Sequence, residues 1–208
     1  LLIPEQANDA LQKLLIDTNP VNYMLKAEDA EKIAREKPEL ASLLKEAATR
    51  GAADFVGGDW TEGPSPLVPL SSTLHDLERG RAAFKQLIGR VPTTWGRRRY
   101  GHSPLHPQIL QKFGYHSALH FLLDDGIYPD REQSKLRWDG CDSSGVDSIT
   151  RLPLAGDSAS TYMRLPQRLA EAMQSDQVAA LIIARWQIGR AHVLNSSHIP
   201  LSRMPSSA

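Results

Sequence analysis

The stretch VPTTWGRRRYGHSPLHPQILQKFGYHSALHFLLDDG, residues 91–126, decides the fold, because strand, loop, helix and strand signals follow one another in it without a gap. Val91–Trp95 is a short run that favours a strand. Ser103 before Pro104 is typical of a helix N-cap with proline at the first helical position, and Gly114 is typical of the residue that ends a helix. The pattern predicts a short helix between two strands.

The second strand of this stretch is Ser117–Leu123, an almost unbroken apolar run that is typical of a strand covered on both faces. Asp124–Gly126 ends it. A strand, a helix and a strand in this order predict a parallel pair, and in parallel sheets the loops at the carboxyl ends of the strands hold the ligand site. We therefore expect Gly96–Ser103 and Asp124–Gly126 at one functional edge.

Strand and helix signals alternate along the rest of the chain. Leu1–Leu15 looks helical, and helical patterns also precede and follow the central stretch. Further strand signals lie at Val21–Leu25, Phe55–Val56 and Val178–Trp186. The alternation predicts an α/β fold built on a largely parallel sheet or barrel.

Composition and charge limit the kinds of partner. The chain has 208 residues, 41% of them hydrophobic, so it can bury a core. Its 24 basic and 24 acidic residues cancel, and we expect neither nucleic acid nor an acidic membrane as partner. The longest apolar run, near Val178–Ala184, is far shorter than the ~20 residues that cross a bilayer. With Cys141 as the only cysteine, a reducing compartment is allowed, and we expect a cytoplasmic location.

The two ends of the sequence differ from the middle. Ile188–Ala208 resembles a translated short-read sequencing adapter, read first in one frame and then in a neighbouring one. We expect residues 188–208 to be a non-native tail and residues 1–187 to form one domain. The chain starts LLIPEQ without methionine, and we expect the beginning of the natural protein to be missing.

The basic run Arg97–Arg99 beside Tyr100 has two interpretations. Guanidinium groups bind phosphate or carboxylate in pairs, so the run is a candidate oxyanion clamp. It is also a candidate for a structural ion-pair cluster with Asp124 and Asp125 across the sheet edge. We favour the structural interpretation, because adjacent arginines on a loop are usually solvated or paired.

Two histidine pairs have the four-residue spacing that places two metal ligands on one face of a helix. They are His102 with His106 and His116 with His120, and only the first pair is at a predicted helix. No acidic third ligand follows closely in sequence, so we assign no metal ligand. His120 lies in an apolar strand, where a hydrogen-bonded core histidine is the simpler expectation.

Carboxylates and aromatic residues cluster after the predicted strands. A pair of carboxylates is what glycoside hydrolysis requires, one to donate a proton and one to attack or to activate water. The same residue types are also common in turns. Aromatic rings near the same edge suit stacking on sugars, although each also suits a core position. The carboxylates are Asp59, Glu62, Asp124, Asp125, Asp139 and Asp142, and the aromatic residues are Trp60, Trp95, Tyr100 and Trp138.

Three segments together resemble the N-terminal barrel of glycoside hydrolase family 38, the α-mannosidase family. They are FVGGDWTEG (Phe55–Gly63), RYGHSPLHPQIL (Arg99–Leu110) and SKLRWDGCDSS (Ser134–Ser144), and their order and spacing match as well. The resemblance covers roughly residues 20 to 187. It implies a partial (β/α) barrel, cut from a seven-stranded one, together with retaining hydrolysis of α-mannosides and a zinc ion at the site.

This sequence departs from the family pattern at the reacting groups. The aspartate nucleophile of the family, which also binds zinc, corresponds to Arg98, and arginine neither attacks an anomeric carbon nor binds zinc. The His-x-Asp zinc pair of the first strand is absent from these residues. The resemblance therefore implies zinc for the family but leaves its ligands unassigned here.

The resemblance also suggests roles for the remaining residues. Asp142 matches a family aspartate and is our first candidate for a proton donor, with Asp139 second. We expect a carbohydrate partner, and for the fragment itself no mannosidase activity. The alternative is a non-catalytic carbohydrate-binding relative in which Arg98 contacts the sugar. The candidate substrate-binding residues are Trp60, Arg98, Tyr100, His102, Ser103, Asp124, Asp125 and Trp138.

Overall fold

A computed structural model describes residues 2–4, 20–97, 102–120, 136–150, 154–155, 159–176 and 182–186. The strands in these ranges are β1 (Leu2–Pro4), β2 (Val21–Met24), β3 (Ala53–Val56), β4 (Thr94–Arg97), β5 (Ser117–His120), β6 (Leu136–Asp139), β7 (Gly145–Thr150), β8 (Leu154–Ala155) and β9 (Ile182–Trp186). The helices are α1 (Ala27–Glu36), α2 (Pro38–Thr49), α3 (Leu70–Ile88), α4 (His106–Lys112) and α5 (Ala159–Asp176), and a 3-10 turn spans Ser65–Leu67.

These strands form one mixed sheet in the order β6-β7-β5-β4-β3-β2-β1-β9-β8. Neighbouring strands run parallel except for β6 and β7. The order follows the chain from β1 to β5 and β7, while β9 and β8 continue on the far side of β1. This is the wall of a singly wound (β/α) barrel, open between its two ends, as the sequence predicts.

The central unit is a parallel pair, as expected. Thr94 is in register with Ser117, and Arg97 with His120. The first strand of the pair lies further along the chain than the sequence indicates, so that Gly96 and Arg97 belong to β4 and not to the following loop. Gly96 fits there because a Cβ atom at this position would lie 2.6 Å from Val56 Cγ1.

Two expected elements differ from the structure. Leu2–Pro4, expected to be helical, is strand β1 and pairs with β2 and β9, while residues 5–19 lie outside the described ranges. Short apolar runs do not distinguish a helix from a buried strand, and pairing on both sides decides for the strand here. α4 begins at His106, later than Ser103 and Pro104 predict, because a turn closed by the His106 N–H on the Ser103 carbonyl oxygen precedes it.

The end of α4 follows the sequence signal. Gly114 has φ of 79°, and its N–H donates to the Gln111 carbonyl oxygen. The N–H of Tyr115 donates to the Leu110 carbonyl oxygen, which completes a Schellman motif. The chain therefore turns sharply into β5.

A tight hairpin joins β6 to β7. The Gly140 N–H donates to the Ser144 carbonyl oxygen at 2.7 Å, and Ser143 adopts a left-handed φ of 65° in the turn. Register pairs Asp139 with Gly145, and β7 pairs with β5 through Asp147 and Ser117. The hairpin turn therefore lies beyond the amino-terminal end of β5.

The buried apolar side chains form two clusters on the helix-facing side of the sheet. The first packs α1, α2 and α3 against β2 and β3 and is centred on Tyr23, Phe55 and Phe84. The second lies beneath α3 and α4 and comprises Leu77, Trp95, Ile109, Leu110, Tyr115, Ala118 and Val146. Among the described helices, none is long and apolar enough to cross a lipid bilayer.

Candidate functional site

The polar side chains of interest gather at the carboxyl ends of β3, β4 and β5. Asp59 follows β3, Arg97 is the last residue of β4, and His120 is the last residue of β5. His102 and His106 come from the loop after β4 and the first residue of α4. These five residues, with Ser65 and Ser148, form what we call the polar edge cluster.

Arg97 and Asp59 form a buried ion pair at the base of this cluster. Arg97 Nη1 lies 3.2 Å from Asp59 Oδ2, and the two side chains are 2% and 9% exposed. Trp95 Nε1 donates to Asp59 Oδ1 at 2.9 Å. Burial raises the pKa of the Asp59 carboxyl group above its ordinary value, while Arg97 and the indole N–H oppose that shift. The pair holds the loop after β3 against the end of β4.

Arg97 also fixes the backbone of that loop. Its Nη2 donates to the carbonyl oxygens of Glu62 at 2.7 Å and Gly63 at 2.6 Å, and Nη1 donates to Ser65 Oγ at 3.2 Å. Alternation along β4 directs Trp95 and Arg97 to the same, helix-facing side of the sheet. The guanidinium group therefore acts as a structural clamp between two loops at the carboxyl edge.

His106 continues the network onto α4. The Ser103 N–H donates to His106 Nδ1 at 3.0 Å, so this nitrogen carries the lone pair, and Nε2 lies 3.2 Å from Ser65 Oγ. In the neutral ring, Nε2–H therefore donates to the serine hydroxyl group. Ser103, a candidate substrate-binding residue, thus uses its backbone N–H to orient His106.

His102 and His120 form a second branch of the cluster. His102 Nε2 lies 3.3 Å from His120 Nδ1, and His120 Nε2 lies 3.3 Å from Ser148 Oγ on β7. The expectation that His120 is a hydrogen-bonded core histidine is confirmed, since it is 6% exposed. The Trp138 ring packs against both histidines, with its centroid 4.5 Å from that of His120 and 5.1 Å from that of His102.

Burial keeps the three histidines neutral. Burial, reinforced by the two other histidines and Arg97, lowers the pKa of His102 to about 2. Burial and the Arg97 cation lower the pKa of His106 to about 4. Burial and His106 lower the pKa of His120 to about 4. At neutral pH the rings therefore act as hydrogen-bonding groups without charge.

Trp60 lies at the same edge but is held by helices. Its Nε1 donates to Glu31 Oε2 at 2.9 Å, and the Arg79 guanidinium carbon lies 3.4 Å from the indole centroid. Its backbone N–H donates to Asp76 Oδ2 at 2.9 Å. The indole is half-buried and oriented before any ligand arrives.

Asp139 and Asp142 lie on the β6–β7 hairpin, whose turn packs against the segment before α4, with Cys141 Sγ 3.9 Å from the Pro104 carbonyl oxygen. Asp139 is exposed and accepts from Arg137 Nε at 2.9 Å, whereas Trp138 points to the opposite face of β6. Asp142 is exposed, and its Oδ1 accepts hydrogen bonds from the hydroxyl group and the N–H of Ser144. These bonds from Ser144 lower the pKa of Asp142.

The remaining candidates, Arg98, Tyr100, Asp124 and Asp125, lie outside the described residues. The structure therefore brings together His102, Ser103 and Trp138 and places Trp60 nearby. Arg97 forms a buried ion pair with Asp59, whereas the expected partners Asp124 and Asp125 lie outside these ranges. For Arg98 and Arg99 the ion-pair interpretation stays a prediction.

Sequence reasoning did not single out Ser65 or Ser148, which complete the cluster. Ser65 lies in a proline-rich loop and Ser148 in a strand, and neither position carries a motif. No local signal marks them, because their roles depend on contacts with His106 and His120.

The part of the chain that the structure describes contains no group of three His, Cys, Asp or Glu side chains arranged to hold a metal ion. His102, His106 and His120 bond to one another or to serine hydroxyl groups. The described residues do not fit the zinc ion that the family resemblance implies.

Comparison with known proteins agrees with the barrel architecture. Over 77 residues the chain is 32% identical to Alpha-mannosidase 2 of Drosophila melanogaster, a match that covers 36% of this chain and 7% of that protein. An alpha-mannosidase from Enterococcus faecalis V583 superposes with a TM-score of 0.63 at 13% identity, over 85% of this chain and 21% of that one. A 4-alpha-glucanotransferase from Thermococcus litoralis gives a TM-score of 0.63 at 14% identity, over 88% and 32%.

The chain thus spans a small part of the length of these relatives. Residues 9–178, most of the chain, match the family model described as the glycosyl hydrolases family 38 N-terminal domain. The matched residues include β2 to β5, the polar edge cluster and the β6–β7 hairpin. The chain therefore belongs to glycosyl hydrolase family 38, as part of its N-terminal domain.

Proposed function

We propose that this domain recognises α-mannoside-type carbohydrate at the carboxyl edge of its sheet and does not itself hydrolyse it. Family membership supports a glycoside hydrolase-like protein and a carbohydrate ligand. Parallel β4 and β5 direct the loops that follow them to one edge, which is where barrels of this kind bind their ligands.

One observation carries the proposal: both residues that flank the segment 98–101 are immobilised. Arg97 is clamped by Asp59 and by the loop carbonyl groups, and His102 is held by His120 and Trp138. This segment contains Arg98, at the position of the family nucleophile. The fixed flanks determine where this segment begins and ends at the carboxyl edge, which is where the proposal places the sugar.

The hairpin carboxylates argue against hydrolysis by this chain. A glycosidase acid must be protonated at working pH and is therefore usually buried, with a raised pKa. Asp142 has the opposite environment, since it is exposed and Ser144 lowers its pKa. Arg98 supplies no nucleophile. In this proposal Arg98 instead donates hydrogen bonds to a sugar hydroxyl group or to an acidic sugar.

Other candidate residues take supporting roles in the proposal. Trp60 and Trp138 offer oriented aromatic surfaces, since Arg79 stacks on the Trp60 indole and the Trp138 ring packs against His102. The remaining proposed sugar-binding residues are Tyr100, Ser103, Asp124 and Asp125.

The test combines binding with turnover. Calorimetry with methyl α-mannoside should show binding by the wild type, and Arg98→Ala should weaken it at least tenfold. Arg90→Ala, at an exposed arginine before β4, is the matched control and should bind normally. No release of nitrophenol from an aryl α-mannoside is expected, with or without zinc.

Two outcomes contradict the proposal. Absence of wild-type binding removes the sugar-recognition function. Zinc-dependent turnover that Asp142→Asn abolishes would instead establish a divergent hydrolase with Asp142 as its acid.

A further inference from the structure

Exposed apolar side chains gather beside the carboxyl edge. Leu67, Val68 and Leu70 lie in the loop after β3 and at the start of α3, and Leu67 is 82% exposed. Leu105, directly before α4, is exposed as well. We call these four residues the apolar rim. Single exposed leucines are common on protein surfaces, but a group of neighbouring ones marks a binding surface.

A hydrogen bond joins the two segments that carry the rim. Ser65 Oγ lies 3.2 Å from His106 Nε2, and Leu67 and Leu105 are within two residues of this contact in their own segments. The same Ser65 hydroxyl group accepts from Nη1 of Arg97, the last residue of β4, at 3.2 Å. The rim therefore lies beside the point where the proposed sugar-binding segment 98–101 begins.

The loop that carries Leu67 has a fixed backbone. The carbonyl oxygen of Gly63 accepts from Arg97 Nη2 at 2.6 Å, and the Leu67 N–H donates to the Pro64 carbonyl oxygen at 2.9 Å. A proline directly precedes Leu67 and another follows Val68, and each restricts φ of the chain. Turning these side chains inward would break the Arg97 contacts, so they stay available to a ligand.

The absence of charge from this loop indicates which ligand chemistry suits the rim. Residues 63–74 contain no Asp, Glu, Lys or Arg, in a chain of which 23% is charged. An uncharged surface rich in leucine is stabilised by covering it with apolar groups. A sugar ring presents mainly hydroxyl groups. The rim therefore suits an apolar group attached to the sugar better than the sugar itself.

We propose that the apolar rim binds an apolar aglycone, and that the ligands of this domain are α-mannosides with an alkyl or aryl group on the anomeric oxygen. This inference rests on the proposed carbohydrate-binding function. Because the rim adjoins the proposed sugar-binding segment, this occupant is favoured over a second copy of the chain.

The experiment compares methyl α-mannoside with hexyl α-mannoside by calorimetry. Each buried methylene group strengthens binding about fourfold, so the hexyl compound should bind the wild type about tenfold more tightly or better. Leu67→Ser and Leu105→Ser should each reduce this ratio by about threefold or more, because they remove apolar contact area. Met163→Ser is the matched control: Met163 on α5 is 83% exposed, and its replacement should leave the ratio unchanged.

Each contrary result overturns a defined part. Equal affinity of the wild type for the two compounds overturns the aglycone site alone, since sugar binding remains. A ratio that neither leucine variant changes shows that the hexyl group binds elsewhere and also overturns the site. Sedimentation velocity tests the other occupant, and a dimer that Leu67→Ser dissociates would assign the rim to an interface between two copies instead. No binding of either compound overturns the proposed function, and the aglycone site with it.

Discussion

At the scale of single residues, the carboxyl edge depends on the charge of Arg97. Its guanidinium group is bonded to Asp59, to two backbone carbonyl oxygens and to Ser65. Asp59 also binds Trp95, so one ion pair connects the loop after β3 with the core. Removing either partner leaves the other as a buried charge without compensation.

We expect Arg97→Met to reduce the free energy of unfolding by about 3–5 kcal/mol, because it leaves the buried Asp59 carboxylate without its cationic partner. The control is Arg90→Met, which breaks an exposed pair with Asp54 and should cost less than about 1 kcal/mol. Urea unfolding followed by circular dichroism measures both values. Equal losses in the two variants would contradict the structural role of Arg97.

The lowered pKa values of the three buried histidines predict that the folded protein loses stability in acid. In the folded state their pKa values are lowered to about 2 for His102 and about 4 for His106 and His120, whereas an unfolded histidine titrates near pH 6.5. As the pH falls below about 6.5, the unfolded state binds protons that the folded state does not bind. The free energy of unfolding therefore decreases. Each histidine contributes up to about 1.4 kcal/mol per pH unit in this window.

Unfolding titrations between pH 7.5 and pH 4.5 test this expectation, and nuclear magnetic resonance gives a direct check. The ring protons of His102, His106 and His120 should not shift between pH 7.5 and pH 5.5. Titration of these rings near pH 6.5 in the folded protein would show that they are not held neutral.

At the scale of elements, glycines set how closely α3 approaches the loop after β3. A Cβ atom on Gly80 would overlap the carbonyl oxygen of Gly58. A Cβ atom on Gly57 would lie 2.7 Å from the Leu25 carbonyl oxygen and 2.9 Å from Phe84 Cζ. This approach lets Asp76 and Arg79 of α3 reach Trp60 and Thr61, so helix packing and site geometry depend on the same contact.

Gly80→Ala should therefore destabilise the protein by about 1–3 kcal/mol, although alanine is normally the better helix residue. Gly63→Ala is the control, since the nearest side-chain atom to its Cβ position is 3.8 Å away. Differential scanning calorimetry measures the melting temperatures of both variants. A rise in melting temperature for Gly80→Ala would show that α3 is free to move away from the loop.

At the scale of the whole molecule, the described strands form an incomplete barrel wall. β7 and β8 are the parallel strands at the two sides of the opening, and β6 is attached to β7 in the antiparallel direction. The hairpin turn with Asp142 precedes β7 and contacts the segment before α4, where Cys141 Sγ lies 3.9 Å from the Pro104 carbonyl oxygen. The direction of a strand alone therefore does not decide how near Asp142 comes to the loop after β4, and its role as proton donor stays a prediction.

The proposal that residues 188–208 are not part of the domain belongs to the same scale. These residues lie outside the described ranges. Deleting them should leave the melting temperature and the methyl α-mannoside affinity unchanged, because no selected contact is lost. A lower melting temperature in the shortened chain would contradict the prediction that the tail is non-native.

The amino-acid sequence by itself determined the parallel β4–β5 pair, the helix between them, the glycine at the end of α4 and the family. Each of these has a local signal: apolar runs of strand length, a turn glycine, or a motif such as RYGHSPLHPQIL. The buried state of His120 also followed from its apolar neighbours, because burial of a strand is visible in a short window.

Only the tertiary structure decided which side chains pair with one another and in which direction neighbouring strands run. Asp59 as the partner of Arg97, Ser65 and Ser148 as partners of the histidines, and β1 as a strand all depend on residues far apart in sequence. The antiparallel direction of β6 and the left-handed conformation of Glu62 are likewise imposed by neighbours in space. Long-range pairing of charges and strands has no local pattern, because its energy arises only when the folded chain brings both partners together.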